Sequence, residues 1–348
     1  MELTDNLNIK QFKPLITPEE LKKKFPQSDE AADFVTQNRK TIQNILAGKD
    51  ERRLVIAGPC SIHDHTATIE YAQRLRKLQE KVNDKLLLVM RAYFEKPRTT
   101  LGWKGMLYDP RLDGSYDIDQ GFHKSREILL EIAKILVPTA TELLDPIVPQ
   151  YLADMISWAA IGARTTESQI HRQMASGLSM PIGFKNATDG NIAGAIDAIK
   201  AAANPHSFMG INRLGQVVIA ETQGNKFGHL VLRGGSCAPN YASEYIAFAE
   251  ILLKKINVPN GIIIDCSHSN SNKDHKQQRT ALTDVSQQIK DGNKSIAGVM
   301  LESFLYEGNQ APDKPENLKY GISITDKCVG WDETEELICN LAVNSPPL

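Results

Sequence analysis

Eight short apolar runs, each followed by a polar or charged residue, constrain the fold of this chain more than any other feature. The first run, Leu54 to Ala57, is too short for a helix, and Gly58-Pro59 stops it directly before Cys60. Because proline cannot continue a buried β-ladder, Cys60 is predicted to lie just past the C-terminal end of a strand. The other runs are 86–90 before Arg91, 137–141 before Glu142, 159–163 before Arg164, 180–184 before Lys185, 229–232 before Arg233, 261–266 before His268 and 296–301 before Glu302.

Most intervals between these runs show helical periodicity, which predicts alternating strands and helices. The helical segments are 66–82, 121–136, 192–203, 242–256 and 280–289. Alternation of this kind implies parallel strands joined by right-handed crossovers. Eight units fit one α/β fold, the (β/α)₈ TIM barrel, with the polar residues collected at the C-terminal mouth. A doubly wound open sheet is the rival, but no glycine-rich dinucleotide fingerprint follows the first strand.

Three segments are predicted to extend the barrel. Residues 1–50 read as an N-terminal arm, with helices starting at Thr17-Pro18 and spanning 28–46, whose apolar stripe packs on its own barrel or on another subunit. Residues 51–348 are expected to form the catalytic barrel. The polar segment 91–117 is too long for an ordinary barrel loop and is predicted to be a lid. Apolar and polar residues alternate along 207–222 on both sides of a turn, which predicts an inserted β-hairpin. Such a hairpin is either a regulatory or oligomeric surface or has no function of its own.

Composition narrows the partners and the compartment. With 348 residues, 41% of them hydrophobic, the chain can bury the core of one barrel. Its 40 Lys and Arg against 42 Asp and Glu argue against nucleic-acid or anionic-membrane partners. The start lacks an apolar signal core, and no stretch approaches the roughly 20 apolar residues of a membrane span, so a cytoplasmic location is expected. The five cysteines show no C-x-x-C spacing, which argues against a disulfide framework or zinc knuckle.

Three strand-end residues, Cys60, His268 and Glu302, are predicted to meet, because strands one, seven and eight become neighbours when a barrel closes. Asp326, in Gly321-Ile-Ser-Ile-Thr-Asp-Lys, is a candidate fourth ligand. Taken singly, Cys60 would more often be a buried cysteine and His268 a hydrogen-bonded loop residue. Together, a thiolate, an imidazole and two carboxylates suit a divalent transition metal acting as a Lewis acid, whereas a structural zinc site would use more sulfur.

Six cationic residues are also predicted to converge at the same mouth, since they end or follow apolar runs. They are Arg91, Lys96, Arg98, Arg164, Lys185 and Arg233. Surface lysines and arginines are usually just solvated, but cations directly after buried strands are not expected on a solvent face. So many positive charges would repel one another without anions, so the ligands are expected to carry several negative charges, such as phosphates and carboxylates. Glu142 is placed to hold a cation or a water molecule.

Eight sequence motifs along the chain resemble those of a known protein family. The motifs that carry the resemblance are Gly58-Pro-Cys-Ser-Ile-His-Asp, Tyr93-Phe-Glu-Lys-Pro-Arg-Thr-Thr, Gly102-Trp-Lys-Gly, Gly162-Ala-Arg-Thr-Thr-Glu-Ser, Gly183-Phe-Lys-Asn, Leu232-Arg-Gly-Gly, Asp265-Cys-Ser-His-Ser-Asn and Ser323-Ile-Thr-Asp-Lys-Cys. In this order they closely resemble the type I 3-deoxy-D-arabino-heptulosonate-7-phosphate (DAHP) synthases, from about residue 8 to the terminal helix.

The resemblance implies a transferase that condenses phosphoenolpyruvate with erythrose 4-phosphate and water, the first step of the shikimate pathway. It implies one divalent ion, Mn²⁺, Fe²⁺, Co²⁺ or Zn²⁺, on Cys60, His268, Glu302 and Asp326. Phosphoenolpyruvate would contact Arg91, Lys96, Arg164, Lys185 and Arg233, and erythrose 4-phosphate Arg98 and Thr99. The catalytic set is then Lys96, Glu142, Cys60 and His268. We expect Lys96 to protonate the aldehyde oxygen and Glu142 to orient the attacking water.

The resemblance also implies feedback inhibition by an aromatic amino acid. The matching pocket positions are Asp5, Gln150, Met174, Leu178, Ser179, Phe208, Gly210 and Ala220. Phenylalanine-sensitive members place serine where Gly210 stands, whereas tyrosine-sensitive members place glycine. The smaller residue leaves room for a phenolic hydroxyl, which favours tyrosine over phenylalanine or tryptophan. A homodimer or homotetramer is expected.

Two other functions stay open. A related synthase that condenses phosphoenolpyruvate with arabinose 5-phosphate is the enzymatic alternative, although the Lys96-Pro-Arg-Thr-Thr segment argues against it. An inactive paralogue acting as a regulatory subunit is the non-enzymatic alternative, although every ligand and cation of the pattern is present. Turnover with each aldose phosphate distinguishes the three.

Overall fold

The computed structural model describes residues 4–258 and 261–345 and contains a closed barrel of eight parallel strands. The barrel strands are β1 (Arg53–Gly58), β2 (Leu86–Arg91), β3 (Thr139–Glu142), β4 (Trp158–Ile161), β5 (Ile182–Lys185), β8 (Gly228–Leu232), β9 (Ile262–Asp265) and β10 (Ile296–Glu302). Around the barrel the order is β1-β10-β9-β8-β5-β4-β3-β2. The predicted (β/α)₈ barrel is confirmed, and β1, β10 and β9 are neighbours as the metal-site prediction required.

Helices surround the barrel and precede it. They are α1 (Pro18–Lys24), α2 (Asp29–Leu46), α3 (His65–Val82), α4 (Ile118–Lys134), α5 (Val148–Leu152), α6 (Gln169–Ser176), α7 (Ala193–Ala202), α8 (Ser243–Lys255), α9 (Gln277–Lys290) and α10 (Trp331–Asn344). Thr17 caps α1 through a reciprocal pair of bonds with Glu20, as its sequence position indicated. Within the described ranges, no helix is both long and apolar enough to cross a membrane.

Alternate residues of each strand face two different layers, which is the period of a β-strand. Leu54, Ile56 and Met300 belong to the cluster inside the barrel, whereas Val55 and Ala57 pack outward against the helices. The inner cluster also contains three α2 side chains, Ile42, Ile45 and Leu46. The apolar stripe of α2 therefore packs against its own barrel.

The predicted hairpin lies outside the barrel, as β6 (Ser207–Ile211) paired antiparallel with β7 (Val217–Glu221). Phe208 and Gly210 point to one face with Ala220, while Met209 and Ile219 point to the other. The second face is strongly exposed, with Met209 at 85% and Ile219 at 75%. The hairpin therefore has one sheltered face and one open apolar face.

Candidate active site

A cavity of about 440 Å³ opens at the C-terminal mouth of the barrel and gathers most of the predicted site residues. All barrel strands are parallel, so residues that end them share this mouth. The predicted residues that line it are Lys96, Arg98, Thr99, Glu142, Arg164, Lys185, Arg233, His268, Glu302 and Asp326. Cys60 and Arg91 do not line the cavity. Both are fully buried and contact residues that do.

The predicted metal ligands lie together. Donor atoms of Cys60, Glu302 and Asp326 are all within 4.8 Å of one another. His268 lies outside that tight group, but its Nε2 is 3.7 Å from Glu302 Oε1, so the imidazole faces the same place. One sulfur, one nitrogen and carboxylate oxygens form a donor set that fits a divalent transition metal.

The environment of Cys60 indicates why a cation is needed. Burial, together with the charge of Glu302, raises the pKa of the Cys60 thiol to about 12, so the sulfur stays protonated at neutral pH unless a cation stabilises its thiolate. Lys96 Nζ donates a hydrogen bond to Cys60 Sγ at 3.0 Å. Although burial opposes the shift, the charge that Cys60 carries as a thiolate and the charge of Glu302 raise the pKa of Lys96 above its ordinary value. Lys96 is therefore an ammonium group beside the sulfur.

Asp265, the last residue of β9, is a buried carboxylate between two predicted site residues. Its Oδ2 accepts a hydrogen bond from Lys185 Nζ at 2.9 Å and lies 2.8 Å from His268 Nδ1, which also contacts Ser267 Oγ at 2.8 Å. Although burial opposes ionisation, His268 and Lys185 hold the pKa of Asp265 well below its ordinary value. Because Nδ1 of His268 contacts this carboxylate, the tautomer with the proton on Nδ1 is favoured. The lone pair of Nε2 then lies on the side of Glu302.

Arg91, at the end of β2, is a buried cation with an unused donor. Its Nη2 donates to Glu302 Oε1 at 3.1 Å, and its guanidinium lies 3.9 Å from the centroid of the Tyr93 ring. Its Nη1 is buried and has no hydrogen-bond partner in the described part of the chain. A buried donor without a partner is costly, so Nη1 is a donor that the described residues leave unsatisfied.

The predicted lid contributes the other cations. Residues 92–117, between β2 and α4, contain no helix or strand. Thr99 Oγ1 accepts a hydrogen bond from Arg164 Nε at 3.3 Å, which joins the lid to the segment after β4. A Cβ on Gly102 would lie 2.6 Å from Arg98 Nε, so glycine lets the Arg98 side chain pack on the lid backbone. On another side of the cavity, Arg233 Nη1 donates to Ser269 Oγ at 3.0 Å.

Glu142 enters the cavity because its neighbour is glycine. A Cβ on Gly162 would lie 2.1 Å from Glu142 Oε1, so any side chain there would displace the carboxylate. Burial opposes a raised pKa at Lys185, but the charge of Asp265 raises it most. The charge of Glu142 also contributes, so Glu142 lies close to this lysine. Glu142 is not in the group of donors around Cys60. The structure therefore does not add Glu142 to the predicted metal ligands, and its holding of a water molecule stays a prediction.

A second cavity, of about 500 Å³, lies between the hairpin, the C-terminal part of α6 and α5 with the loop before it. The predicted effector residues that line it are Gln150, Met174, Leu178, Phe208, Gly210 and Ala220. Two others are not part of its lining. Asp5 is exposed on the N-terminal arm, where it accepts a hydrogen bond from Asn6 Nδ2 at 2.9 Å, and Ser179 is also exposed.

Comparison with known proteins agrees with this geometry. The sequence model of the DAHP synthetase I family matches residues 25–338. The chain belongs to the DAHP synthetase I family. The Tyr-sensitive phospho-2-dehydro-3-deoxyheptonate aldolase of Escherichia coli (strain K12) is 52% identical over 335 residues, which are 96% of this chain and 94% of that protein. The Phe-sensitive aldolase of the same strain is also 52% identical, over 338 residues, 97% of this chain and 96% of that protein.

The fold of this DAHP synthetase I family member also matches a solved structure. The phospho-2-dehydro-3-deoxyheptonate aldolase from Francisella tularensis SCHU S4 superposes with a TM-score of 0.95 at 47% identity, covering 97% of this chain and 98% of that one. The predicted family and fold are thereby confirmed.

Two polar residues that hold the site were not singled out from the sequence of this family member. Asp265 ends a strand three residues before His268, and that position was an available signal. Gln278 lies within α9, where its side-chain amide donates to the Glu302 backbone oxygen at 3.0 Å and accepts from the Glu302 backbone nitrogen at 2.9 Å. No sequence pattern indicates that a helical glutamine faces the barrel in this way.

Glu95 is a third residue that sequence analysis missed. It is buried, and its carboxylate accepts hydrogen bonds from the backbone N–H groups of Leu144 and Asp145 and from the Tyr108 hydroxyl. Burial raises the pKa of Glu95 to about 8. Glu95 therefore ties the start of the lid, beside Lys96, to the loop that leads from β3 to the second cavity.

Proposed function

We propose that this protein condenses phosphoenolpyruvate with D-erythrose 4-phosphate and water, giving DAHP and inorganic phosphate, the first step of the shikimate pathway. The observation that carries the proposal is one cavity that is lined by five of the predicted cationic side chains and by Glu302 and Asp326, whose carboxylates lie beside the buried Cys60 sulfur. Two phosphorylated substrates, one of which also bears a carboxylate, supply the negative charge that these cations require.

The cations divide between the two substrates. Arg164, Lys185 and Arg233, with Lys96 and the unused donor of Arg91, would bind the phosphate and carboxylate of phosphoenolpyruvate. Arg98 and Thr99, on the lid, would bind erythrose 4-phosphate. The bond between Arg164 and Thr99 links the two groups, which favours a fixed approach of one substrate to the other.

Cys60, His268, Glu302 and Asp326 would hold one divalent ion, Mn²⁺, Fe²⁺, Co²⁺ or Zn²⁺. Such an ion, when bound, supplies Lewis-acid polarisation of the aldehyde carbonyl. Asp265 fixes the ring of His268 through Nδ1, Gln278 holds the backbone of Glu302, and Arg91 binds its carboxylate. These contacts preorganise the ligands.

Two side chains of the cavity would move protons and water. As C3 of phosphoenolpyruvate bonds to the aldehyde carbon, Lys96 donates a proton from Nζ to the aldehyde oxygen, which becomes a hydroxyl group. The electron-poor C2 that results takes up water, which Glu142 orients through its carboxylate and from which it accepts a proton. The bond between C2 and the phosphate oxygen then breaks as the new C2 hydroxyl gives its proton to the departing phosphate, which leaves the ketone of DAHP and inorganic phosphate.

A turnover assay on the full chain tests the proposed function. Phosphate release is expected with phosphoenolpyruvate and erythrose 4-phosphate, with loss of activity after treatment with a chelator and recovery after addition of Mn²⁺. Arabinose 5-phosphate, at the same concentration, is the matched control. Faster turnover of arabinose 5-phosphate would favour the related synthase, and no turnover of either sugar with Mn²⁺ present would favour the regulatory paralogue.

We further propose that an aromatic amino acid, tyrosine, binds in the second cavity and inhibits the reaction. Overall identity does not identify the effector, because Tyr-sensitive and Phe-sensitive relatives are equally similar to this chain. Gly210 supports tyrosine. A Cβ at this position would lie 3.6 Å from Phe208 Cε2 and 3.8 Å from the Ala220 Cβ, so a side chain fits there but takes up space that a phenolic hydroxyl could occupy.

Tyrosine is expected to inhibit at concentrations at which phenylalanine and tryptophan do not, and Gly210→Ser is expected to weaken tyrosine inhibition by about tenfold, the scale of one added polar group in a pocket. Inhibition curves for the three amino acids, each relative to the uninhibited rate of the same variant, measure this. Ala193→Ser, at an exposed position of α7, is the control. Stronger inhibition by phenylalanine than by tyrosine would contradict the assignment.

A homodimer or homotetramer would cover the open face of the hairpin. Met209, Val217 and Ile219 on this face are each at least 75% exposed, and the N-terminal arm exposes Leu7 and Phe12. Apolar surface of this kind favours contact with a second copy, and the arm of that copy could bring Asp5 to the second cavity. Sedimentation velocity of the full chain tests this proposal. The cytoplasmic location stays a prediction.

A further inference from the structure

One carboxylate oxygen in the active site serves two binding groups at once. Oδ2 of Asp265 accepts a hydrogen bond from Lys185 Nζ at 2.9 Å and lies 2.8 Å from His268 Nδ1, which is also 2.8 Å from Ser267 Oγ. Lys185 is a predicted contact of phosphoenolpyruvate, and His268 is a predicted metal ligand. Asp265 is fully buried, so bulk water does not compete for this oxygen.

The rest of the residue is held in place by separate contacts. Oδ1 of Asp265 accepts from the backbone N–H of Ser267 at 3.1 Å and from its hydroxyl at 2.5 Å. The backbone oxygen of Asp265 accepts from the Asn270 side-chain amide at 2.9 Å. The carboxylate cannot turn toward one partner without losing the two Ser267 bonds to Oδ1, so Lys185 and His268 share Oδ2.

We propose that Asp265 is a positioning residue that couples the binding of phosphoenolpyruvate to the binding of the divalent metal ion. The inference rests on the proposed function, because it takes phosphoenolpyruvate as the anion at Lys185. A cation on Nε2 makes the imidazole of His268 more positive and strengthens the attraction between its Nδ1–H and Oδ2 of Asp265. The shared charge of Asp265 then neutralises Lys185 less, which leaves the ammonium more available to the anion.

The same argument holds in the opposite direction. An anion that attracts Lys185 Nζ leaves more of the Asp265 charge to His268, and Nε2 becomes a better electron-pair donor. By linkage, the factor by which the metal ion tightens anion binding equals the factor by which the anion tightens metal binding. Direct attraction between cation and anion contributes in every variant, so only the difference between variants reports on Asp265.

The test is an equilibrium measurement without erythrose 4-phosphate. Calorimetry gives the affinity for phosphoenolpyruvate with and without Mn²⁺, and electron paramagnetic resonance of free Mn²⁺ gives the metal affinity with and without phosphoenolpyruvate. For the wild type we expect the two factors to agree at about tenfold, within the usual range of such couplings, and to fall to about threefold or less in Asp265→Asn.

Ser267→Ala is the control for the serine hydroxyl, because it removes the bonds of that hydroxyl to Oδ1 of Asp265 and to Nδ1 of His268 and leaves the contacts of Oδ2 in place. If Oδ2 carries the coupling, the coupling factor of this variant should stay near that of the wild type. A purely structural role would weaken both affinities in Asp265→Asn and leave their coupling factor unchanged, which would overturn the proposal. A wild-type factor of one would do the same. Should Asp265→Asn fail to fold, Lys185→Met removes the other partner and must also lower the factor; an unchanged factor there overturns the proposal.

Failure of this inference is distinguishable from failure of the proposed function. If phosphoenolpyruvate does not bind the wild type with or without Mn²⁺, the substrate assignment fails, and the coupling fails with it. If phosphoenolpyruvate binds with the same affinity in both conditions, the substrate assignment survives and only the coupling role of Asp265 is lost.

Discussion

Replacing Cys60 with serine is expected to remove most of the affinity for a divalent transition metal and nearly all of the turnover. A serine hydroxyl is a poor substitute for a thiolate as a ligand of such an ion. Lewis-acid stabilisation of the developing charge is worth several kcal/mol, and each 1.4 kcal/mol is a factor of ten, so kcat should fall by about 10³ or more. Because sulfur and oxygen differ little in size, the fold should be retained.

Metal content after dialysis, together with kcat at saturating Mn²⁺, measures the effect of Cys60→Ser. The matched control is Cys237→Ser, the same substitution at an exposed cysteine in the loop after β8. Thermal unfolding of both variants establishes that neither loses its fold. Wild-type metal affinity in Cys60→Ser would contradict the proposed ligand set, whatever the turnover.

The positions of the site residues could be predicted because parallel strands end at one rim. A run such as Leu86 to Met90 identifies its own end, and the residue after it, Arg91, is then assigned to the mouth of the barrel without knowledge of any contact. The same argument placed Lys185 and Glu302 correctly at the ends of β5 and β10. Each prediction needed only local pattern and chain topology.

Short or polar elements were harder to predict. Helix α6 spans only Gln169–Ser176, and Ile170 and Met174 give a single i, i+4 pair, too little periodicity to identify a helix from sequence. The third barrel strand was predicted to begin at Val137 but starts at Thr139, since Pro138 has no N–H to donate to a ladder.

Contacts between distant elements could not be predicted at all. Gln278 meets Glu302 only because α9 packs on β10 with one particular rotation, and Glu95 meets Leu144 and Asp145 only because the lid folds back over the next loop. Neither contact has a period or a spacing in the sequence. The sequence therefore identified candidate ligand contacts, and the structure added residues that hold those candidates in place.

Replacing Lys96 with methionine is expected to lower kcat by about 10²–10⁴, the usual contribution of a positioned general acid. Methionine approximates the length of the lysine stem and removes the only group proposed to protonate the aldehyde oxygen. Metal affinity should not fall, because Lys96 Nζ lies 3.0 Å from Cys60 Sγ and its positive charge opposes a cation there. Loss of rate without loss of metal therefore distinguishes proton donation from damage to the metal site.

Two further variants separate the proton from the charge. Lys96→Arg keeps a positive charge, but a guanidinium group does not release its proton in proteins. It should therefore remain nearly as slow as Lys96→Met if proton donation is the task, and recover most of the rate if the charge alone matters. Lys104→Met, at an exposed position of the same lid, controls for disturbance of the lid. Single-turnover rates at saturating Mn²⁺ and both substrates decide between these outcomes. A wild-type rate in Lys96→Met would show that another group donates the proton.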